Sequence, residues 1–288
     1  MDQLVELETA ANTPTRYIES KGRTLAYRKI GSGPALVLAL RFRGVMDSWD
    51  PAFVDALAER FTVITFDYSG LGQSTGTPSY VRSRMAEDIR DLADALGLES
   101  FVLGGWSIGG IAVQVFTATY PERVSRLVLI GTVPPGPQPY PMEPVFLRTA
   151  LKPDYDLEDE TLLFFEPDFE ASRSAAAASN RRIASRSADR SPAIAPEVFT
   201  RILQESNDPT AAFPDRGGYA AFFETTRIPI LVISGDHEIV FPVENWHALN
   251  RKWPTMHLFV LPQAGHGPQH QYPDMTADLI ASFARSER

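Results

Sequence analysis

The chain has 288 residues, 44% hydrophobic and 22% charged, a balance suited to one globular α/β domain with a sizeable core or to two small domains. Its net charge of −9 argues against nucleic acid or another polyanion as partner, and the absence of cysteine excludes disulfides, thiolate nucleophiles and cysteine-based zinc sites and fits a cytoplasmic location. Residues 1–10 are partly acidic and lack a cationic start followed by an apolar stretch, so no Sec signal is expected; no run of about 18 apolar residues is present to span a bilayer.

Taken in chain order, residues 16–30 read as two short strands around a turn at Lys21 and Gly22. The continuous apolar run 35–40 follows Gly33 and Pro34 and suits a strand buried on both faces. Asp50 before Pro51 reads as an N-cap with proline at the first helical position, and this helix should end near Arg60. Residues 61–66 form the next buried strand, which puts Asp67 at its C-terminal end. Over 79–97, Met85, Ile89, Leu92 and Leu96 recur at helical spacing and Gly97 supplies the stop. A strand at 101–103 leads through a glycine-rich turn into an apolar helix at about 111–120. Strands are expected at 124–130, 228–233 and 256–261, and a closing helix at 275–285. Strand and helix alternate, which implies a mostly parallel twisted sheet with helices on both faces.

One segment breaks the alternation. Residues 132–226 show no strong strand, open on a proline-rich stretch and then turn helical, with a dense set of aromatics that includes Phe146, Phe164, Phe165, Phe199, Phe222 and Phe223. A structureless loop of this length is improbable in a compact domain, so an inserted helical cap is expected at 132–226, on a core made of 1–131 and 227–288.

Gly105-Trp106-Ser107-Ile108-Gly109 fits G-x-S-x-G. A match this short arises by chance in roughly one protein in ten of this size, so its context must decide. Here a strand precedes it and a helix follows, the setting in which a serine sits on a tight, strained turn above the sheet with the next backbone N–H aimed at a developing oxyanion. Ser107 is therefore the candidate nucleophile and Ile108 N–H a candidate oxyanion donor. Serine needs a base. Of the five histidines, only His266 lies in a small-residue loop after a late strand, Gln263-Ala264-Gly265-His266-Gly267. An acid to orient it is offered by Asp236 or Glu238, just past the strand at 228–233. The resulting order is serine, acid, histidine.

With these features the chain resembles the α/β-hydrolase superfamily over nearly its whole length outside the cap. Asp67-Tyr68-Ser69-Gly70-Leu71-Gly72-Gln73-Ser74 is similar to that family's D-x-x-G-x-G-x-S loop, read as structural. The stretch from Gly235 to Pro242 is similar to its acid segment, in which the acid stands three residues after the glycine and four before the proline. That place belongs to Glu238, although residue type alone favours Asp236. The resemblance implies hydrolysis of a small-molecule substrate without metal or organic cofactor. The bond expected is a carboxylic ester or lactone on an apolar substrate of small to medium size. A carbon–carbon bond hydrolase using the same triad, or a non-catalytic ligand-binding relative, is the alternative. A haloalkane dehalogenase is disfavoured, because that chemistry places a carboxylate where Ser107 stands. Relatives often carry His-Gly after the third strand, where this chain has Leu40-Arg41, then Phe42-Arg43-Gly44. By position Phe42 N–H becomes the second oxyanion donor. Arg41 and Arg43 are expected to be solvated or internally paired rather than to steer an anionic substrate group.

Overall fold

A computed structural model describes residues 8–206, 208 and 211–286. Residues 1–7, within the N-terminal stretch considered for a signal, lie outside the described residues. The strands are β1 (Arg16–Ser20), β2 (Arg23–Ile30), β3 (Ala35–Ala39), β4 (Thr62–Phe66), β5 (Phe101–Trp106), β6 (Val124–Ile130), β7 (Ile230–Gly235) and β8 (Met256–Leu261). Between them run α1 (Pro51–Ala58), α2 (Arg82–Ala95) and α3 (Ile108–Thr119). The segment from β6 to β7 holds α4 (Pro144–Ala150), α5 (Leu157–Phe164), α6 (Glu170–Ala184), α7 (Pro196–Ser206) and α8 (Tyr219–Thr225). Then come α9 (Glu244–His247), α10 (Pro268–Gln271) and α11 (Pro273–Arg285).

Eight strands form one sheet in the order β1-β2-β4-β3-β5-β6-β7-β8, with β2 antiparallel to both neighbours and every pair from β4 to β8 parallel. β1 and β2 are joined by Lys21 and Gly22 at φ 51° and 76°, the paired positive values that a two-residue hairpin matching strand twist requires. Every residue of β5 and of β7 is buried, as expected of strands covered on both faces. From β3 the chain steps outward to β4 and returns to β5 on the other side of β3. The strand order therefore reverses between β3 and β5, and the crevice beyond their C-terminal ends is where open α/β sheets place their ligands.

Most predicted elements stand within a few residues of the expected limits, and the departures have local causes. Asp50 caps α1 by accepting Ala52 N–H at 2.9 Å. α2 starts at Arg82 rather than at 79, because the Ser79 hydroxyl accepts Val81 N–H at 3.1 Å and holds the chain in a turn there. β5 runs three residues beyond the expected 103, through two glycines. A Cβ on Gly104 would come within 2.8 Å of Leu38 on β3, and one on Gly105 within 2.5 Å of the Gly109 carbonyl. These glycines mark close approaches to β3 and to α3 rather than the end of the strand. Among the described residues, the segment between β6 and β7 contains five helices and no strand.

Candidate active site

Ser107 sits between the last residue of β5 and the first of α3 at φ 60°, ψ −125°, a conformation that L side chains rarely adopt. The turn around it is packed too tightly for Cβ atoms. One on Gly109 would come within 2.5 Å of the Ala39 and Leu40 carbonyls, and one on Gly110 within 2.5 Å of Thr132. The N-terminus of α3 is thus pressed against the end of β3, with Ile108 N–H in its first turn. Ser107 N–H donates to Ile130 O at 3.0 Å and its carbonyl accepts from Thr132 Oγ1 at 2.7 Å, so the elbow is fastened to the end of β6. Its neighbour Trp106 is fully buried and donates Nε1–H to the His266 carbonyl at 2.7 Å, which brings the histidine loop to Ser107.

Of the two carboxylates beyond β7, the structure brings Glu238 to His266. Glu238 Oε2 lies 2.6 Å from His266 Nδ1, both side chains are shut off from solvent, and Glu238 Oε1 accepts Val240 N–H at 2.8 Å. Asp236 is engaged elsewhere. Its Oδ1 meets His237 Nδ1 at 2.7 Å and accepts Ala264 N–H at 3.1 Å, at a site where 36% of the side chain is exposed. Burial alone would raise the Asp236 pKa, but the contacts to His237 and the loop amides outweigh it and hold the carboxyl below its ordinary range. His237 is raised in return, mainly by its hydrogen bond to Asp236. Among the described residues no hydrogen bond joins Ser107 Oγ to the His266 ring; such contacts often tighten only when substrate is present. The ring is enclosed by Phe146, Phe241, Trp106 and Phe164, with centroids 5.7, 5.8, 6.0 and 6.4 Å away.

The loop after β3 closes the other side. Gly44 N–H donates to the Arg41 carbonyl at 3.0 Å and Arg43 stands at φ 57°, so the chain turns sharply around Phe42. Arg43 N–H is taken by Tyr80 Oη at 2.9 Å. The Phe42 ring packs edge-on against Tyr80 and Phe199.

A family model described as alpha/beta hydrolase fold matches residues 42–273. The chain belongs to the α/β-hydrolase family. A 2-hydroxy-6-oxononadienedioate/2-hydroxy-6-oxononatrienedioate hydrolase of Burkholderia vietnamiensis is 27% identical, the alignment covering 99% of each chain. A pimeloyl-[acyl-carrier protein] methyl ester esterase of Nitrosomonas europaea is 26% identical over 85% of this chain and 93% of its own. Among solved structures, an alpha/beta hydrolase fold protein from Chitinophaga pinensis superimposes with a TM-score of 0.85 at 27% identity, covering 97% of this chain and 100% of that one.

As an α/β hydrolase, the chain uses its D-x-x-G-x-G-x-S loop as scaffold. The Asp67 carboxylate accepts Met46 N–H at 2.7 Å and Gln73 N–H at 2.9 Å, and a Cβ on Gly72 would fall 2.1 Å from it. Burial raises the Asp67 pKa against these hydrogen bonds. The segment between β6 and β7 is tied to this scaffold and to the site. Ser191 donates its hydroxyl to Asp67 at 2.7 Å and its N–H to Asp47 at 2.6 Å, and Arg182 pairs with Asp50 at 2.6 Å. Gly267 N–H donates to the Phe164 carbonyl at 2.6 Å, directly beside His266.

One buried group beside the site carries no sequence signal beyond its place in the flank of the histidine loop. His270 accepts Asp50 N–H through Nε2 at 3.3 Å, and its ring lies edge-on to Trp106 at 4.7 Å. Burial pushes its pKa down to about 4; the Asp50 charge opposes this, while Arg41 and Arg182 add to it. The unfolded chain takes up this proton near pH 6.5, so His270 contributes stability that is complete above about 6.5 and lost as pH falls toward 4, about 3 kcal/mol across the window. His237 works in the opposite sense and at higher pH, because its raised pKa favours the folded state below about 6.5. Denaturant midpoints at pH 7 and pH 4.5 should therefore separate more in the wild type than in His270→Gln. Equal separations would show that His270 is not held neutral by its surroundings.

Proposed function

We propose that this α/β hydrolase is a cofactor-independent serine hydrolase. It cleaves a carboxylic ester or lactone of a small to medium apolar substrate through an acyl-enzyme on Ser107. The observation that carries the reading is the elbow. A serine held at φ 60°, ψ −125° between a fully buried strand and a helix N-terminus keeps a backbone strain that only a surrounding function-specific packing would maintain. The buried Glu238–His266 pair supports it by supplying an oriented base.

In the proposed cycle His266 Nε2 takes the Ser107 hydroxyl proton as Oγ attacks the carbonyl carbon. Glu238 holds Nδ1–H and stabilises the imidazolium. The N–H groups of Ile108 and Phe42 receive the oxyanion, each contributing about 3–4 kcal/mol to the transition state. The imidazolium returns its proton to the leaving alcohol, and water, deprotonated by the same ring, releases the acid. Proton transfer by a positioned base accounts for about 10²–10⁴ in rate. The test is turnover of p-nitrophenyl esters of increasing acyl length, followed by lactones. Hydrolysis with a preference for medium chains is expected, and absence of turnover across both sets would overturn the reading.

A second reading is supported by the Burkholderia relative, which is named as a hydrolase of an oxo-dienedioate. The same triad would serve here for carbon–carbon bond hydrolysis of a diketone-type substrate. A chromophoric vinylogous diketone offered in parallel with the esters separates the two.

The helices between β6 and β7 are proposed to form a lid over Ser107. Phe164 and Phe165 are both buried, and truncating both to alanine would cost about 6–10 kcal/mol of core packing, enough to unfold the protein. The milder Phe164→Leu is the better probe. It should lower kcat/KM for an octanoyl ester about 5- to 10-fold more than for an acetyl ester, the effect of one or two lost methylene contacts. An unchanged chain-length profile would remove Phe164 from the acyl pocket.

A further inference from the structure

Arg41 stands one position before the proposed oxyanion donor Phe42; it is half-buried and not paired with a carboxylate. Its guanidinium lies 4.4 Å over the Phe164 ring and 5.2 Å from the Trp106 ring centre, and NH1 donates to the adjacent Phe42 carbonyl at 2.7 Å. Nε is fully buried with no hydrogen-bond partner. Among the described residues no aspartate or glutamate forms an ion pair with it, and burial lowers its pKa. Arg43, by contrast, spends its guanidinium on the carbonyls of Ala150, Lys152 and Pro153. A half-buried cation without a counter-carboxylate and with an idle buried donor is costly and calls for a partner.

A cavity of about 210 Å³ lies against Arg41. Its wall includes Arg190, Asn180, His270, and Trp106 and Phe164, whose rings also pack against His266; Ser107 and His266 themselves do not line it. His270 accepts Asp50 N–H on Nε2, so its neutral ring carries the proton on Nδ1 as a further donor. Arg190 is bonded to the carbonyls of Ile183 and Arg186. Two carboxylates share the wall, and the charge of one, Glu160, acts on Arg41 without an ion pair. Asp47 is paired with Arg28 at 2.6 Å and Arg186 at 3.4 Å, and Glu160 accepts Asn180 Nδ2–H at 2.7 Å. Arg41, Arg43 and Arg190 outnumber the acids, and of the three Arg41 has the idle buried Nε.

We propose that Arg41 and this cavity form a carboxylate-recognising subsite on the far side of Trp106 and Phe164 from His266, so that the substrate, apolar around the scissile carbonyl, is an ester carrying an anionic group at its other end. The proposal rests on Ser107 being the nucleophile. The guanidinium presents a planar fork of donors that matches a carboxylate, and the Phe164 and Trp106 rings hold that fork in place.

The test compares p-nitrophenyl hemiglutarate, which is anionic, with neutral p-nitrophenyl butyrate in the wild type, Arg41→Gln and Arg41→Lys. The wild type should favour the anionic ester, and the kcat/KM ratio of anionic to neutral should fall about 10- to 100-fold in Arg41→Gln, the range for losing a hydrogen bond to a charged group. Arg41→Lys, which keeps the charge without the fork, should fall between, and it carries the comparison should Arg41→Gln not fold. Binding is read separately from turnover by thermal unfolding of Ser107→Ala with glutarate. A rise in Tm that disappears when Arg41→Gln is added supports the subsite even where neither ester is cleaved, in which case the ester reading alone fails. Turnover of both esters with a ratio indifferent to Arg41, or a glutarate shift indifferent to Arg41, overturns the subsite and leaves the nucleophile assignment standing.

Discussion

Ser107→Ala is expected to lower ester kcat by about 10⁶, the loss found when the nucleophile is removed from a serine-protease triad, and to abolish labelling by a fluorophosphonate probe. The loss is large because in the proposed cycle the serine, its base and the acid act as one unit: without Oγ no acyl-enzyme forms, and the histidine has no proton to move. Folding should be preserved. Alanine carries the same Cβ as serine, so the backbone at φ 60° is no more strained than before, and the elbow is held by main-chain and Thr132 contacts rather than by the hydroxyl. Any residual rate comes from the oxyanion donors and binding alone. The measurement is probe labelling followed by peptide mapping, with turnover assayed on the same folded sample. Labelling on another serine, with Ser107→Ala fully active, would sink the assignment.

Much of the candidate site is legible in the amino-acid sequence, for identifiable reasons. Ser107, His266 and Glu238 each stand just past a strand, where a short run of apolar residues ends in small or polar ones, and strand ends are the easiest boundaries to read in a parallel sheet. The glycines of the elbow stand out because close backbone approach tolerates nothing larger. What stays hidden depends on residues far apart in sequence. Nothing local to Ser191 says that it will donate to Asp67, or that Arg182 will reach Asp50, because such contacts are fixed by how the helices between β6 and β7 settle on the sheet. A loop arginine is usually solvated or paired, and Arg41 is only partly so: it is half-buried, bonds the Phe42 carbonyl and has no carboxylate partner. Its neighbours Phe164 and Trp106 come from segments that sequence spacing cannot bring together. The buried state of His270 is hidden for the same reason: its neutrality comes from Trp106, Trp49 and the Asp50 amide, not from its own flanks.

The second large effect separates two carboxylates two residues apart. Glu238→Gln is expected to lower kcat by about 10⁴, the loss measured when the orienting acid of a serine-protease triad is made an amide. The geometry explains why an isosteric change is so damaging. Glu238 accepts two hydrogen bonds, one from His266 Nδ1–H and one from Val240 N–H. A glutamine has one acceptor oxygen for these two donors. If the oxygen faces Val240, the amide NH₂ faces Nδ1 and forces the tautomer with its proton on Nε2, which cannot take a proton from Ser107. If the oxygen faces His266, the NH₂ confronts the Val240 N–H inside a site closed to water, and the negative charge that steadies the imidazolium is gone in either case. Asp236→Asn meets none of this. Its partner His237 is 40% exposed, and exposed ion pairs are worth about 0–1 kcal/mol, so activity within about threefold of wild type is expected. Both variants should be compared after their thermal unfolding has been measured, so that a folding defect is not read as catalysis. A loss near 10⁴ in folded Asp236→Asn, beside a nearly active Glu238→Gln, would transfer the orienting role to Asp236.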